Sequence, residues 1–230
     1  MVTRQQRSEA PAALPKATIP QSTPWKVSQL AENLELGPNN QVHVLKVLRH
    51  NDQQWLPRLM HLPNGTVRYK YKRRSGEPTK TLNQLKEITK HPPSHDQEQQ
   101  AIKQLLYELN RAGATVVIAP PKQASAAGEW NPRRGELRIR QSVVKQGTIT
   151  FAKVLNHEAI HTAQSCAGGS IRSQPKPLGI SRAISAEDKR KFNLSLYSDI
   201  NLRQRILEEE AYANQDDLKA GRNLLIEYCI

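Results

Sequence analysis

The apolar residues between positions 97 and 230 recur at spacings that predict helices alternating with short strands. Ile102, Leu105 and Leu109 lie three or four residues apart, as on one face of a helix. Leu137 and Ile139 alternate with charged residues, which is typical of a strand with one buried face. The predicted order is helix 97–112, strand 114–119, strand 134–141, helix 148–164 and one or two helices within 200–226. This pattern predicts an α+β fold.

The segment 41–91 predicts a smaller unit that is rich in strands. Its first part, QVHVLKVLRH, alternates loosely between valine and polar residues. Further on, Asn64-Gly65 precedes apolar and aromatic residues at period two, which is a signal for a β-hairpin. We therefore expect a small strand-rich module ahead of the larger domain.

Composition divides the chain into three predicted parts. Residues 1–24 are rich in proline, alanine, glutamine and serine, and such a segment cannot bury enough apolar area to fold, so we expect it to be disordered. Residues 25–96 form the basic module, which ends in the linker-like segment HPPSHD (91–96). Residues 97–230 form the larger domain.

Basic residues are concentrated in the first half of the chain. The formal net charge is +13, and residues 41–91 hold 11 Lys and Arg against 3 Asp and Glu, which leaves +8 in that stretch. Such a charge favours acidic partners, and nucleic acid is one possibility for the 41–91 region. A solvated basic surface without a specific partner explains the same residues.

The sequence also limits where the protein can work. We expect no membrane insertion, because no run of 18 apolar residues exists. The N-terminus lacks the apolar stretch of a secretory signal, which predicts a cytoplasmic protein. Cys166 and Cys229 are too few for a disulfide framework, and in a reducing compartment we expect both to be free thiols.

The segment VLNHEAIHTAQ contains the pattern H-E-x-x-H. His157 and His161 are four residues apart, so on a helix their imidazoles lie one turn apart on one face and can bind one zinc ion. Glu158 would lie beside that ion, where it can act as general base on a water whose pKa zinc lowers toward about 7. A packed helix that carries two surface histidines is the alternative interpretation.

A catalytic zinc site needs a third protein ligand, and the best source is the acidic cluster in RILEEEAYANQ. Residues two apart on a helix point in nearly opposite directions, so Glu208 and Glu210 cannot both face the metal. Glu210 shares a stripe with apolar residues and would want a buried partner, so we choose Glu210, with Glu208 second. A solvated acidic face is the alternative for either residue.

The motif and the order of elements resemble the small gluzincin metallopeptidases over residues 97–230. The resemblance implies a zincin-like domain in which His157 and His161 are ligands and Glu158 is the base. The segment starting at Glu210 fits the family's E-x-x-A pattern, while Glu208 to Tyr212 fits a variant ending in tyrosine. The resemblance also implies that the edge strand GELRIR holds a peptide or protein substrate by strand addition.

Three hypotheses follow from these observations. The first is a zinc metallopeptidase with a basic N-terminal module. The second is a basic nucleic-acid-binding or regulatory protein whose zinc site is structural or vestigial. The third is a non-catalytic fold that keeps the helix pair by descent. Among other residues, Gln164 could orient a ligand, and Tyr197 or Tyr212 could stabilise an oxyanion. We prefer a surface position for Gln164 and core packing for the two tyrosines.

Overall fold

Helices and short strands follow one another along the chain in an α+β arrangement. The computed structural model describes residues 29–74, 76–184, 189 and 201–230. The strands are β1 Glu35–Leu36, β2 Arg58–His61, β3 Val67–Lys70, β4 Thr115–Ile118, β5 Gly128–Asn131 and β6 Glu136–Ile139. The helices are α1 Gln41–Asp52, α2 Leu82–Lys90, α3 Asp96–Arg111, α4 Gln141–Lys145, α5 Thr148–Ala167, α6 Leu202–Asn214 and α7 Ala220–Cys229, with a short 3-10 helix at Gln53–Trp55.

Four strands form the main sheet in the order β1-β4-β6-β5. β4 and β6 run parallel, and the outer strands β1 and β5 are antiparallel to their neighbours. The resemblance implied that the segment GELRIR is an edge strand, and this expectation is wrong. β6 lies inside the sheet because the hairpin that it forms with β5 covers its outer side. The edge strand on this side of the sheet is β5.

The long helix α5 lies at the centre of the hydrophobic core. Phe151, Leu155 and Ile160 are completely buried, and the helix packs against α3, α6, α7 and β5. Burial of each such side chain stabilises the fold by about 1.5–3 kcal/mol. Because other elements contact α5 on several sides, the side chains of α5 are held in fixed positions.

The segment QVHVLKVLRH forms the helix α1, and the strand predicted there is wrong. Val44, Leu45 and Leu48 are buried at helical spacing, whereas Val42 is 78% exposed. The loose alternation of valines was compatible with both periods, and packing against the core favours the helix. The hairpin predicted from Asn64-Gly65 is present as β2 and β3, and Gly65 has the positive φ of 78° that its turn requires.

The described residues of the first half share one core with the second half, so the boundary expected at residue 96 does not separate two cores. Val44 and Leu48 of α1 belong to the same buried cluster as Ile102 and Leu155. β1 pairs with β4 of the main sheet. The expected segment 1–24 lies outside the described residues.

A polar contact also joins the two halves at the start of α5. Asp52, at the end of α1, accepts hydrogen bonds from the backbone N–H and the hydroxyl of Thr148, at 2.8 and 2.5 Å. An acceptor at a helix N-terminus satisfies an amide that has no partner within the helix. Asp52 therefore fixes the beginning of the helix that carries the H-E-x-x-H motif.

A disulfide joins Cys166 near the end of α5 to Cys229 at the end of α7. The expectation of free thiols is therefore wrong, because the packing of α7 along α5 brings the two cysteines together. The bond fastens the C-terminal end of α5 to a helix 63 residues further along the chain. In the part of the chain that the structure describes, no helix is long and apolar enough to span a membrane.

Candidate metal centre

His157 and His161 lie one turn apart on α5 and face the same point. Their Nε2 atoms are 3.2 Å apart, and the ring centroids are 4.9 Å apart. Both side chains are nearly buried, with 11% and 12% of their surface exposed. The helix therefore presents two imidazole nitrogens that can bind one metal ion when neither carries a proton.

Glu208 of α6 completes a group of three candidate metal ligands. One carboxylate oxygen lies 3.5 Å from Nε2 of His157, and the other lies 3.5 Å from Nε2 of His161. A tetrahedral ion with bonds of about 2.0–2.1 Å separates its ligand atoms by roughly 3.3–3.4 Å. Each of these distances is close to that separation, but the two involve different oxygens of Glu208, so the three side chains form a candidate site for a small cation.

Glu210, our first choice from the sequence for the third ligand, lies elsewhere. It is 1% exposed, and its carboxylate accepts hydrogen bonds from the backbone N–H groups of Leu178 and Gly179, at 2.9 and 2.8 Å. Residues two positions apart on a helix differ in direction by about 200°. Glu210 therefore points to the 168–184 loop, whereas Glu208 points to the histidines. The buried partner that we expected for Glu210 is this loop.

Gln164 connects Glu210 to His161. Its Nε2 donates to a carboxylate oxygen of Glu210 at 2.9 Å and to the carbonyl of Leu207 at 3.0 Å. Its Oε1 therefore faces Nδ1 of His161, at 2.8 Å, and accepts a hydrogen bond from the N–H of that atom. In the neutral imidazole this arrangement leaves the lone pair of His161 on Nε2, the atom nearest Glu208. Gln164 is completely buried, so the surface position considered for it is wrong.

Asn156 fixes α6 and α7 against α5. Its side-chain amide donates to the carbonyls of Gln215 and Asp217 at 2.9 and 2.8 Å, and its Oδ1 accepts from the N–H of Gly221 at 2.9 Å. Asn156, which directly precedes His157 in the sequence, is completely buried. It thus holds the turn between α6 and α7 at a constant distance from the helix that carries the two histidines.

The side chain of Glu158 extends from α5 toward the edge strand β5. It is 5% exposed, and the backbone of Trp130 partly offsets the rise in its pKa that burial causes. The strand can come this close because position 128 is glycine: a Cβ there would lie 2.8 Å from both Cγ and Oε1 of Glu158. The indole of Trp130 donates to Ser165 at 2.8 Å, which fastens the same strand to α5 a second time.

The charges of these residues depend on one another. Burial alone would lower the pKa of His161, but the adjacent carboxylate of Glu208 outweighs it and raises this pKa to about 9. Despite burial, the two imidazoles hold the pKa of Glu208 well below its usual range. Burial raises the pKa of Glu158, and His157 and His161 partly offset that effect. A cation that binds here must displace the proton of His161.

Tyr212 lies on the other side of His157. The two rings meet edge to face with centroids 4.7 Å apart. Within the described ranges, Nδ1 of His157 is buried and has no hydrogen-bond partner. Tyr197, the other tyrosine considered from the sequence, lies outside the described residues.

Sequence reasoning did not find the residues that support the motif. Asn156 and Gly128 gave no signal as single residues, because their roles depend on a helix turn and a strand that lie far away along the chain. Gln164 was noticed only through its position one turn after His161. Comparison with protein-family models, with curated proteins and with solved structures finds no match for this chain.

Proposed function

We propose that this protein is a zinc-dependent hydrolase that cleaves peptide bonds, with Glu158 as general base. The observation that carries the proposal is the convergence of His157, His161 and Glu208, whose nearest nitrogen and oxygen atoms lie 3.2–3.5 Å apart. Two imidazoles and one carboxylate are a common ligand set of catalytic zinc, which keeps one position for substrate or water.

Zinc supplies a Lewis acid that polarises a carbonyl oxygen and makes water acidic near neutral pH. Glu158 follows the first histidine directly and lies against β5, so it can take a proton from the attacking water and then give it to the leaving amine. Its raised pKa suits both steps, because a base whose pKa is closer to neutrality also donates more readily. Tyr212, beside His157, is a candidate donor to the developing oxyanion.

The position of β5 supports a peptide as the substrate. β5 is the outer strand of the sheet, and Gly128 brings its backbone into contact with Glu158. An extended peptide that adds to this edge gains backbone hydrogen bonds, and its carbonyl groups then pass close to the base. We therefore transfer the substrate-holding role that the resemblance implied for GELRIR to β5.

The variant Glu158→Gln tests the proposal. The side chain keeps its size but can no longer take a proton, so we expect zinc to stay bound while peptide cleavage falls by about 10²–10⁴-fold. The measurement is mass spectrometry of a mixed peptide library incubated with each protein, together with zinc analysis of the same samples. Glu209→Gln is the control, because the half-buried Glu209 pairs with Arg205 and Arg182, at 3.0 and 3.9 Å, and not with the histidines. Full activity of Glu158→Gln would refute the mechanism.

A further inference from the structure

The β2–β3 hairpin is separate from the main sheet and exposed on both faces. Its strands pair only with each other in the described sheets, and apart from the half-buried Tyr69 every strand residue is exposed. An isolated two-stranded hairpin is marginally stable in water, so a protein that displays one needs to support it. This hairpin, residues 58–70, is called the ribbon below.

The base of the ribbon is held firmly against the body of the protein. The guanidinium of Arg74 lies over the ring of Trp55, 4.7 Å from its centroid, and 3.9 Å from the carboxylate of Asp52. The indole of Trp55 donates to the carbonyl of Gln146 at 2.9 Å. The residues just before and just after the ribbon are therefore anchored, and the ribbon projects from a fixed position.

The two faces of the ribbon differ in chemistry. Residues directly opposite one another in an antiparallel pair lie on the same face. The register places Arg58 opposite Lys70 and Met60 opposite Arg68, so these four residues form one basic face. The other face carries the pairs Leu59–Tyr69 and His61–Val67. The ribbon thus concentrates its positive charge on one side.

No negative charge in the local sequence compensates for this face. Residues 53–76 contain six Lys and Arg and no Asp or Glu. Arg74 contacts Asp52 and Trp55 at the base of the ribbon, and Arg73 donates a hydrogen bond to the hydroxyl of Thr79 at 2.9 Å. The side chains of Arg58, Arg68, Lys70 and Lys72 are exposed to solvent along the ribbon and its continuation.

We propose that the ribbon binds double-stranded DNA by placing its basic face in the major groove. The groove is about 12 Å wide and admits a two-stranded ribbon, whose strands are about 4.8 Å apart. The exposed cations can neutralise phosphates, and Arg68 and Met60 lie where side chains of such ribbons meet base edges. Binding at the ribbon does not depend on the proposed hydrolase activity.

Salt-dependent binding of the full-length protein tests this proposal. The probe is a labelled mixed-sequence DNA duplex of about two helical turns, followed by fluorescence anisotropy at several salt concentrations. Each neutralised phosphate contributes about 0.9 to the slope of log affinity against log salt, so three ribbon contacts alone weaken binding roughly 40-fold for a fourfold rise in salt. The combined variant Arg58→Gln, Arg68→Gln and Lys70→Gln should make that slope shallower by about 2.7.

Two further variants make the result specific. Lys86→Gln, Lys122→Gln and Lys219→Gln, combined in one chain, remove three exposed charges from three other places, so both triple variants have a net charge of +10 (13 minus 3). This control should keep the wild-type slope. Arg68→Gln with Lys70→Gln alters β3 alone and should reduce the slope by about 1.8 even if the triple ribbon variant does not fold.

The proposal is overturned by any of three results. Equal loss of affinity in the ribbon and control variants would indicate attraction to the overall charge. Failure of the wild type to bind the duplex at low salt would show that the ribbon does not bind DNA. Tighter binding of a single strand or of poly-glutamate than of the duplex would assign the ribbon to an unpaired strand or to an acidic protein.

Discussion

Glu208 and Glu210 illustrate what the sequence could decide about single residues. The pattern H-E-x-x-H predicted that His157 and His161 lie together, because a spacing of four residues fixes the relation of side chains within one helix. The choice between the two later glutamates depended on how α6 is rotated against α5. That rotation is set by contacts such as Asn156 with the turn after α6, which no local spacing reveals. The expectation of a buried partner for Glu210 was sound, but the partner is a loop backbone.

Substitution of the two glutamates should separate their roles. Glu208→Gln removes a proposed ligand, so zinc affinity should fall by more than the 10–100-fold typical of changes around a ligand. Glu210→Gln keeps the ligands but weakens the contacts to Gln164, Leu178 and Gly179, so affinity should fall by about tenfold and stability by about 1–3 kcal/mol.

The measurements for this pair are zinc competition with a chelating dye and urea unfolding of the metal-free proteins. Each variant serves as the control for the other, because both change one carboxylate of α6 to an amide of the same size. If Glu210→Gln lost zinc more completely than Glu208→Gln, the assignment of the third ligand would be wrong.

At the level of elements, periodicity identified most of the second half and misread part of the first. α3, β4, β6 and α5 lie close to the predicted ranges, because each has a run of apolar residues with a single clear period. The one or two helices predicted within 200–226 are two, α6 and α7, separated by a turn that Asn156 binds. α1 was assigned to a strand because three valines at short spacing fit either period.

The contact between α5 and β5 leads to a prediction at this level. In Gly128→Ala the new Cβ would lie 2.8 Å from Glu158 and 2.9 Å from Cγ1 of Val154, so the strand or the carboxylate has to move. We expect peptide cleavage to fall by at least about tenfold, since a displacement of 1 Å at a reacting group can cost about 10²-fold. Zinc content should not change, because no proposed ligand touches position 128.

The control for this prediction is Gly37→Ala, at a position where an added Cβ meets nothing within 4 Å. Cleavage rates of the mixed peptide library and zinc content are measured for both variants and for the wild type. Unchanged cleavage by Gly128→Ala would mean that the close approach of β5 to Glu158 has no role in the reaction.

For the whole molecule, the α+β class could be predicted, but the association of its two halves could not. Asp52 at the start of α5 and β1 beside β4 make the N-terminal half part of the body that holds the site. Such contacts join residues about 80 to 100 positions apart, and composition alone suggested a boundary between them.

The Cys166–Cys229 disulfide bears on where the molecule works. The disulfide joins two cysteines that are 63 positions apart in the sequence. Disulfides persist mainly in oxidising compartments. Localisation in the cytoplasm therefore stays a prediction, and the disulfide is an argument against it.

Zinc analysis of the purified protein tests the central claim most directly. The wild type, loaded with zinc and dialysed, should retain about one zinc ion per chain. His161→Ala should retain none, while His43→Ala, which changes an exposed histidine of α1, should retain as much as the wild type. A wild type that holds no zinc, or a His161→Ala variant that holds as much as the wild type, would contradict the account.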